Sequence, residues 1–313
     1  MTNAHDDTRE ETAMLSLGID IGATKAHAVA LDEDNTVVAE AAAFTRRGPK
    51  GVLSVLMDTA TSVASKAGVG LRDFDGVGVG IPGVVNRTTG EITSAVNLLI
   101  EHMPLGKMIA EHFSVPVRVD NDVKATVVAA GMALKSLSVT YINFGTGVAA
   151  ATLDGRVIRG KDNVAGEIGH IVLDPNGEPC RCGQRGCIET VIGGVYLAPR
   201  MDMLDLDWTR LNESDTPAGQ AALDQNVRVI ARVVSLVALA YSSEHIVLGG
   251  GVIRAASWVI PAVKRFLTEK GKVTTFPDYA HISEQITTLD SDLRAPAVGA
   301  ALIGQGWTEG YKL

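Results

Sequence analysis

Two stretches of this chain carry the same order of local elements, and a repeat of that kind limits the fold more than any other feature. Leu15 to Asp20 is an apolar strand that runs into a glycine-bearing turn, DIGATK. A second strand follows from Ala26 to Leu31, then a turn over Asp32 to Asn35 and a third strand from Thr36. Val139 to Phe144 repeats the plan: a strand, the glycine turn GTG, a strand from Val148 to Leu153, a turn at Asp154-Gly155 and a strand from Arg156. One glycine-turn hairpin is commonplace. The whole plan used twice predicts two similar α/β lobes with a cleft between them.

The chain between and beyond the copies alternates helices with buried strands. Leu53 to Ala67 has apolar residues at helical spacing and stops at Gly68, a C′ glycine. Gly76 to Ile81 is a short apolar strand ending at Pro82-Gly83, and Leu105 to Phe113 has an apolar helical face. Val115 to Val119 reads as a strand, followed by Asp120-Asn121-Asp122; Asp122 is placed to cap a helix running to about Lys135. Apolar periodicity predicts a long helix from Ala218 to Ser242, and Ile246 to Leu248 is a strand entering Gly249-Gly250-Gly251. Such alternation predicts a largely parallel core. No low-complexity linker marks the lobe boundary, which falls within residues 122–138.

At 313 residues, with 46% hydrophobic and 20% charged residues, the chain has ample core for two medium domains. Its formal net charge of −8 argues against a nucleic-acid or anionic-membrane partner, which would need a basic face. The opening MTNAHDDTREETA lacks the basic and apolar regions of a signal peptide and is expected to be a frayed tail over residues 1–14. The longest apolar run, Val233 to Tyr241, is too short to span a bilayer. Thiols without an export signal point to the cytoplasm.

All three cysteines, Cys180, Cys182 and Cys187, lie in AGEIGHIVLDPNGEPCRCGQRGCIE, residues 165–189. An odd number of thiols leaves one over from any disulfide pairing. With His170, three thiols complete a tetrahedral Cys3His zinc site, and a closed four-ligand site is structural. The plain alternative is three unrelated buried cysteines. Glu167 stands three residues before His170 and Glu189 two after Cys187. Zinc would fix one nitrogen of His170 and leave the other to hydrogen-bond beside the metal. Two carboxylates and an imidazole edge on a rigid loop suit a polyhydroxylated ligand; otherwise both glutamates are ordinary surface charges.

Three glycine turns each follow a strand: Gly22 in DIGATK, Gly145 and Gly147 in GTG, and Gly249 to Gly251. Glycine lets backbone N–H groups approach phosphate; Thr24 and Thr146 add hydroxyls and Lys25 a charge. None fits G-x-x-x-x-G-K-[ST] or G-x-G-x-x-G, which excludes P-loop and Rossmann readings. Together they favour a nucleotide held between lobes. Asp20, at the first turn, can hold Mg2+ through waters. Asp122, after a strand end, can act as a base in phosphoryl transfer.

DIGATK at Asp20 to Lys25, GIPGVV at Gly80 to Val85, Asn97-Leu98, Asn121-Asp122, GTG at Gly145 to Gly147, AGEIGH with the CRCGQRGCIE run, and GGGV at Gly249 to Val252 span nearly the whole chain. In these the chain resembles a glucokinase-like sugar kinase of the ROK (repressor, ORF, kinase) family. The resemblance implies an actin-like (ribonuclease H-like) duplicated two-lobe α/β fold with an interdomain cleft. It divides the chain into a small lobe over 15–122, to which a C-terminal helix at about 296–313 returns, and a large lobe over 123–295 with the zinc loop at 165–189. It implies ATP, Mg2+ and a structural Zn2+ held by His170, Cys180, Cys182 and Cys187. Asp122 would be the base acting on a sugar 6-hydroxyl. Asn97, Asn121, Asp122, Glu167, His170 and Glu189 would bind the sugar; Asp20, Gly22, Thr24, Lys25, Gly145, Thr146, Gly147, Gly249, Gly250 and Gly251 would surround Mg-ATP. Lobe closure would exclude water, and a homodimer is the family expectation.

The chain departs from the family pattern in three places. The first turn reads GAT instead of GGT. Val123-Lys124 follows Asn121-Asp122 where glucokinases carry small residues and a second Asn, and Leu99-Ile100-Glu101 replaces Pro-Gly-Trp after Asn97-Leu98. The changes near the sugar leave N-acetylmannosamine, allose, fructose, mannose and amino sugars open beside glucose. A sugar-responsive DNA-binding regulator is the other branch of the family. About fourteen residues before the first strand are too few for its helix-turn-helix unit. A catalytically silent sugar-binding protein is the third reading; Asp20, Asp122 and the phosphate turns argue against it.

Overall fold

The computed structural model describes residues 14–274 and 281–307. The tail expected over residues 1–14 lies outside them except for Met14, as does the 308–313 end of the helix expected over 296–313. The chain forms two compact units, Met1–Asp120 with Ala300–Gly306, and Asn121–Gly299 with Trp307–Leu313.

The first unit starts with β1 (Ser16–Ile21), β2 (Lys25–Leu31) and β3 (Val37–Phe44), an antiparallel meander. Helix α1 (Pro49–Ala67) follows, starting four residues before its apolar pattern because Pro49 is pre-set for a first helical position. Gly68 ends it in the left-handed region (φ 74°); its N–H bonds the Ser65 carbonyl and that of Val69 the Ala64 carbonyl, a Schellman stop. Strand β4 (Gly76–Ile81) is buried throughout and pairs parallel to β1. The hairpin β5 (Val84–Asn86) and β6 (Glu91–Ser94) precedes α2 (Leu105–Ile109), whose expected continuation to Phe113 tightens into a 3-10 turn at Ala110–His112. Strand β7 (Val117–Asn121) begins two residues late, since Pro116 has no N–H for a ladder. The sheet order is β3-β2-β1-β4-β7.

The second unit opens with α3 (Asp122–Leu134) and repeats the meander as β8 (Ser138–Phe144), β9 (Val148–Asp154) and β10 (Arg156–Val157). Helices α4 (Ile188–Ile192), α5 (Gly194–Met203) and α6 (Pro217–Tyr241) come next. Strand β11 (His245–Gly249), α7 (Gly251–Ala255), α8 (Val259–Gly271), α9 (Ile282–Gln285), β12 (Ile286–Thr287) and the first half of α10 (Ala295–Gln305) complete it. The order β10-β9-β8-β11-β12, with β8 and β11 parallel, reproduces the first sheet strand for strand. Ile230, Val233, Val234 and Val237, one face of α6, are buried in its core, each worth about 1.5–3 kcal/mol relative to exposure. The copies differ in their third strand, eight residues in β3 against two in β10.

Helix α10 divides between the units after Gly299. In the first unit the bare Cα of Gly78 lies against it: a Cβ there would fall 1.8 Å from the Ala300 carbonyl oxygen. Gly78→Ala is expected to cost about 1–3 kcal/mol and lower Tm by several degrees in a thermal melt; an unchanged Tm would show that this contact does not constrain the sheet.

Candidate functional site

The second unit assembles its polar residues around the start of β9. Strand β8 covers one side of β9 along its length, but β10 pairs only with Leu153 and Asp154 on the other. The outward N–H groups near the start of β9 therefore need other acceptors. Val148 N–H donates to Glu189 Oε2 (3.2 Å) and Ala150 N–H to the Gly166 carbonyl (2.8 Å). Gly166 lies in the loop that leaves β10, and Glu189 in the first turn of α4, where that loop returns. Glycines permit that approach. A Cβ on Gly166 would sit 1.9 Å from the Ala150 carbonyl oxygen, and one on Gly169 would sit 2.2 Å from that of Val148.

That loop carries Glu167, exposed, at the head of a 3-10 turn over Ile168–His170. The Glu167 carboxylate acts on Asp122, the first residue of α3. The helix cap expected of Asp122 belongs instead to Asn121, whose side-chain oxygen accepts the N–H groups of Val123 (3.0 Å) and Lys124 (3.3 Å). Asp122 is half-buried, with its own carboxylate accepting the Val123 N–H at 3.0 Å. Burial pushes the Asp122 carboxyl up to about 6, against the pull of the Val123 N–H; Glu167 raises it further and Lys124 lowers it. A carboxyl poised there exchanges protons near neutrality.

Past His170 the loop folds into a knuckle. The donor atoms of His170, Cys180, Cys182 and Cys187 all lie within 4.8 Å of one another. Cys182 Sγ is 3.7 Å from Cys187 Sγ, and Cys180 Sγ is 3.7 Å from His170 Nδ1. Tetrahedral zinc with Zn–S bonds of about 2.3 Å sets its sulfurs about 3.8 Å apart, so this donor set fits one zinc ion. The Gln184 backbone N–H holds the exposed Cys182 thiol down at about 6, while burial pushes Cys187 up to about 12. A bound cation would overcome the latter, since a coordinating thiol is deprotonated. Arg181 N–H donates to Tyr196 Oη (2.9 Å), fastening the knuckle to α5.

Gly145, Thr146 and Gly251 line a cavity of about 730 Å3 with Val195, Asp202 and Trp208. This is ample for a nucleotide-sized ligand. The first N–H groups of α5, from Gly194 and Val195, donate to the Gly145 and Thr146 carbonyls and so set the GTG turn on that helix. Trp208 donates Nε1–H to the Val252 carbonyl (2.9 Å) and packs edge-on against Trp258. Gly249 packs on the Tyr141 ring. Gly250, at φ +91°, backs onto the Phe144 carbonyl, where a Cβ would lie 2.3 Å away. Gly147 faces Glu189. The wall from α5 to Trp208 is the part that sequence reasoning missed, because Val195 and Leu197 carry no pattern separating a ligand wall from core.

The remaining expected positions belong to the first unit. Asp20, half-buried, lies near the end of β1, and the Gly22 N–H donates to the Lys25 carbonyl to close a three-residue link to β2. Thr24 and Lys25 are exposed there, and Thr45 Oγ donates to the Gly22 carbonyl at 2.7 Å. Gly145–Gly147 forms a link of equal length between β8 and β9. Asn97 is exposed in a 3-10 turn between Ala95 and Leu99, the latter left-handed at φ 57°.

Elemental analysis is expected to find about one zinc per chain, with Cys182→Ser losing both metal and ligand affinity; metal-free protein of unchanged affinity would contradict the site. A Cβ at Gly147 would lie 2.3 Å from Glu189 Oε2. On the expectation that Glu189 binds the sugar, Gly147→Ala, which displaces that carboxylate, should weaken sugar binding about tenfold when measured by calorimetry without nucleotide. Unchanged affinity would detach Glu189 from the ligand.

A model of the ROK family matches residues 16–306. A glucokinase of Halalkalibacterium halodurans is 29% identical over 321 residues, 93% of each chain. An N-acetylmannosamine kinase of Salmonella arizonae is 28% identical over 306 residues, covering 94% of this chain and 100% of its own. Among solved structures, a ROK hexokinase from Thermus thermophilus matches with a TM-score of 0.75 and 26% identity, over 93% of this chain and 98% of that one. The matching sheets of the two units are those of the actin-like fold that this likeness shows. With the family model covering all but the two ends, the chain belongs to the ROK family.

Proposed function

We propose that this chain is an ATP-dependent hexose kinase that phosphorylates the 6-hydroxyl of a glucose-like sugar, with Asp122 as general base. Asp122 carries the reading. It heads α3 directly after a strand, Asn121 relieves it of capping, and burial sets its carboxyl at about 6. The full-length likeness to a glucokinase and an N-acetylmannosamine kinase supports the reaction class with glucose and N-acetylmannosamine as acceptors, and the departures at Leu99-Ile100-Glu101 and Val123-Lys124 keep allose, fructose, mannose and amino sugars beside them.

In this reading Asp122 takes the proton of the sugar hydroxyl as that oxygen bonds the γ-phosphorus and the bond from phosphorus to ADP breaks. Glu167, His170, Glu189, Asn121 and Asn97 hydrogen-bond the other sugar hydroxyls. The GTG turn, Gly251 and the α5 wall hold the nucleotide in the second unit. Gly250 backs onto the Phe144 carbonyl just ahead of that turn, and Gly249 packs on the Tyr141 ring beside it. Asp20, Gly22, Thr24 and Lys25 serve Mg-ATP from the first unit. Asp20 suits Mg2+ because that ion takes few protein ligands and keeps several waters, and its charge offsets that of the phosphates. His170, Cys180, Cys182 and Cys187 would hold a zinc ion that would stiffen the loop between Glu167 and Glu189.

Coupled ADP release with Mg-ATP over a panel of hexoses, amino sugars and N-acetyl sugars is expected to show one strong responder. Asp122→Asn should retain sugar binding and lose roughly 100- to 10,000-fold in kcat. Near-normal turnover in that variant would remove Asp122 as base. Because the base acts ionised, kcat/KM should rise with pH, bend near pH 6 and level above it. A profile flat from pH 5 to 8 would contradict the assignment.

A further inference from the structure

Lys124 is one of the largest fully buried side chains of the protein, with 1% of its surface exposed. A lysine is almost never buried so completely unless its ammonium is paired. It stands two residues beyond Asp122 in the first turn of α3, and Nζ donates to the backbone carbonyl of Asn163 at 2.8 Å. Asn163 is itself buried and left-handed (φ 60°), in the loop leading to Gly166 and Glu167. Gly166 pins that loop to Ala150 of β9, four residues before the knuckle begins at His170. Lys124 supplies a second pin, from the helix that carries Asp122.

We propose that Lys124 is a positioning residue for phosphoryl transfer: its buried ammonium straps the Asn163 carbonyl to the first turn of α3 and fixes the spacing between Asp122 and Glu167. This rests on the kinase reading above. A reacting group displaced by about 1 Å can cost on the order of 100-fold in rate, so a strap at this point is a kinetic device as well as a packing one. The charge has a second effect. Glu167, from the loop, disfavours the ionised Asp122, and Lys124, from Asp122's own helix, favours it. The same ammonium therefore holds the two carboxyls in place and offsets part of their repulsion.

Two near-isosteric variants separate these effects. Lys124→Met removes both donor and charge, while Lys124→Gln keeps a donor for the Asn163 carbonyl without the charge. Lys124→Met is expected to lower kcat roughly 10- to 100-fold, raise the sugar KM, and move the acid limb of kcat/KM to higher pH. Lys124→Gln is expected to recover much of the KM and to keep the displaced acid limb. Amide hydrogen exchange, which needs no turnover, should show faster exchange over residues 158–167 in Lys124→Met than in the unmodified chain. Wild-type kcat, KM and acid limb in both variants would overturn the proposal, as would unchanged protection of 158–167. Insoluble protein from both would make Lys124 a folding residue and overturn it equally. If the unmodified chain releases no ADP with any sugar, the kinase reading fails, and the exchange result alone decides whether the strap exists.

Discussion

The polar site of the second unit depends on two backbone N–H groups at the start of β9. Strand β10 ends its pairing after two residues, so Val148 and Ala150 turn outward without a neighbouring strand. A buried amide without an acceptor costs about 1–3 kcal/mol, and the chain meets both needs from one segment. Gly166 gives a backbone carbonyl and Glu189 a carboxylate oxygen. These bonds draw the long loop after β10 against the strand that continues from the GTG turn. The glycines at 147, 166 and 169 are bare because the loop approaches closer than a Cβ allows.

From that anchoring the rest of the arrangement follows. The loop sets Ile168 and Leu173 against the core of the unit and gathers its four Cys3His donor groups beyond them. Its exit into α4 places Glu189 beside Gly147, so that a carboxylate assigned to the sugar touches a turn assigned to phosphate. Its entry places Glu167 where its charge reaches Asp122. Lys124 closes the circuit from below, tying the helix of Asp122 to the same loop. Burial, one opposing carboxylate and one buried ammonium together set a carboxyl near neutrality that in water would titrate at about 4.

Much of this was legible in the residues. The duplicated strand–glycine turn–strand plan foretold two similar α/β lobes, and the two sheets of matching order agree with it, because alternation and turn glycines are local properties. The cysteine cluster foretold a compact donor set, since spacing alone brings three thiols and His170 into one loop. What depended on distant partners was not legible. Arg156 opens a strand in both readings, but nothing local shows that this strand is two residues long where β3 is eight. Adjacent Asn121 and Asp122 are both good capping residues. Only the folded geometry gives the cap to Asn121 and frees Asp122 from it. Val123-Lys124 looked like a departure near the sugar. Its buried ammonium and the carbonyl that receives it are 39 positions apart. The cavity wall of Val195, Asp202 and Trp208 reads as ordinary helix and loop, because a ligand wall and a core face use the same side chains.

The central claim, that a carboxyl at the head of α3 directs phosphate to a primary sugar hydroxyl, is tested most directly by the structure of the product. Zinc-containing protein would be incubated with Mg-ATP and its best sugar, and the product examined by phosphorus–proton correlation NMR. The account predicts a single sugar phosphate whose phosphorus couples to the two protons on C6. Phosphate on another hydroxyl, or inorganic phosphate with the sugar unchanged, would contradict it.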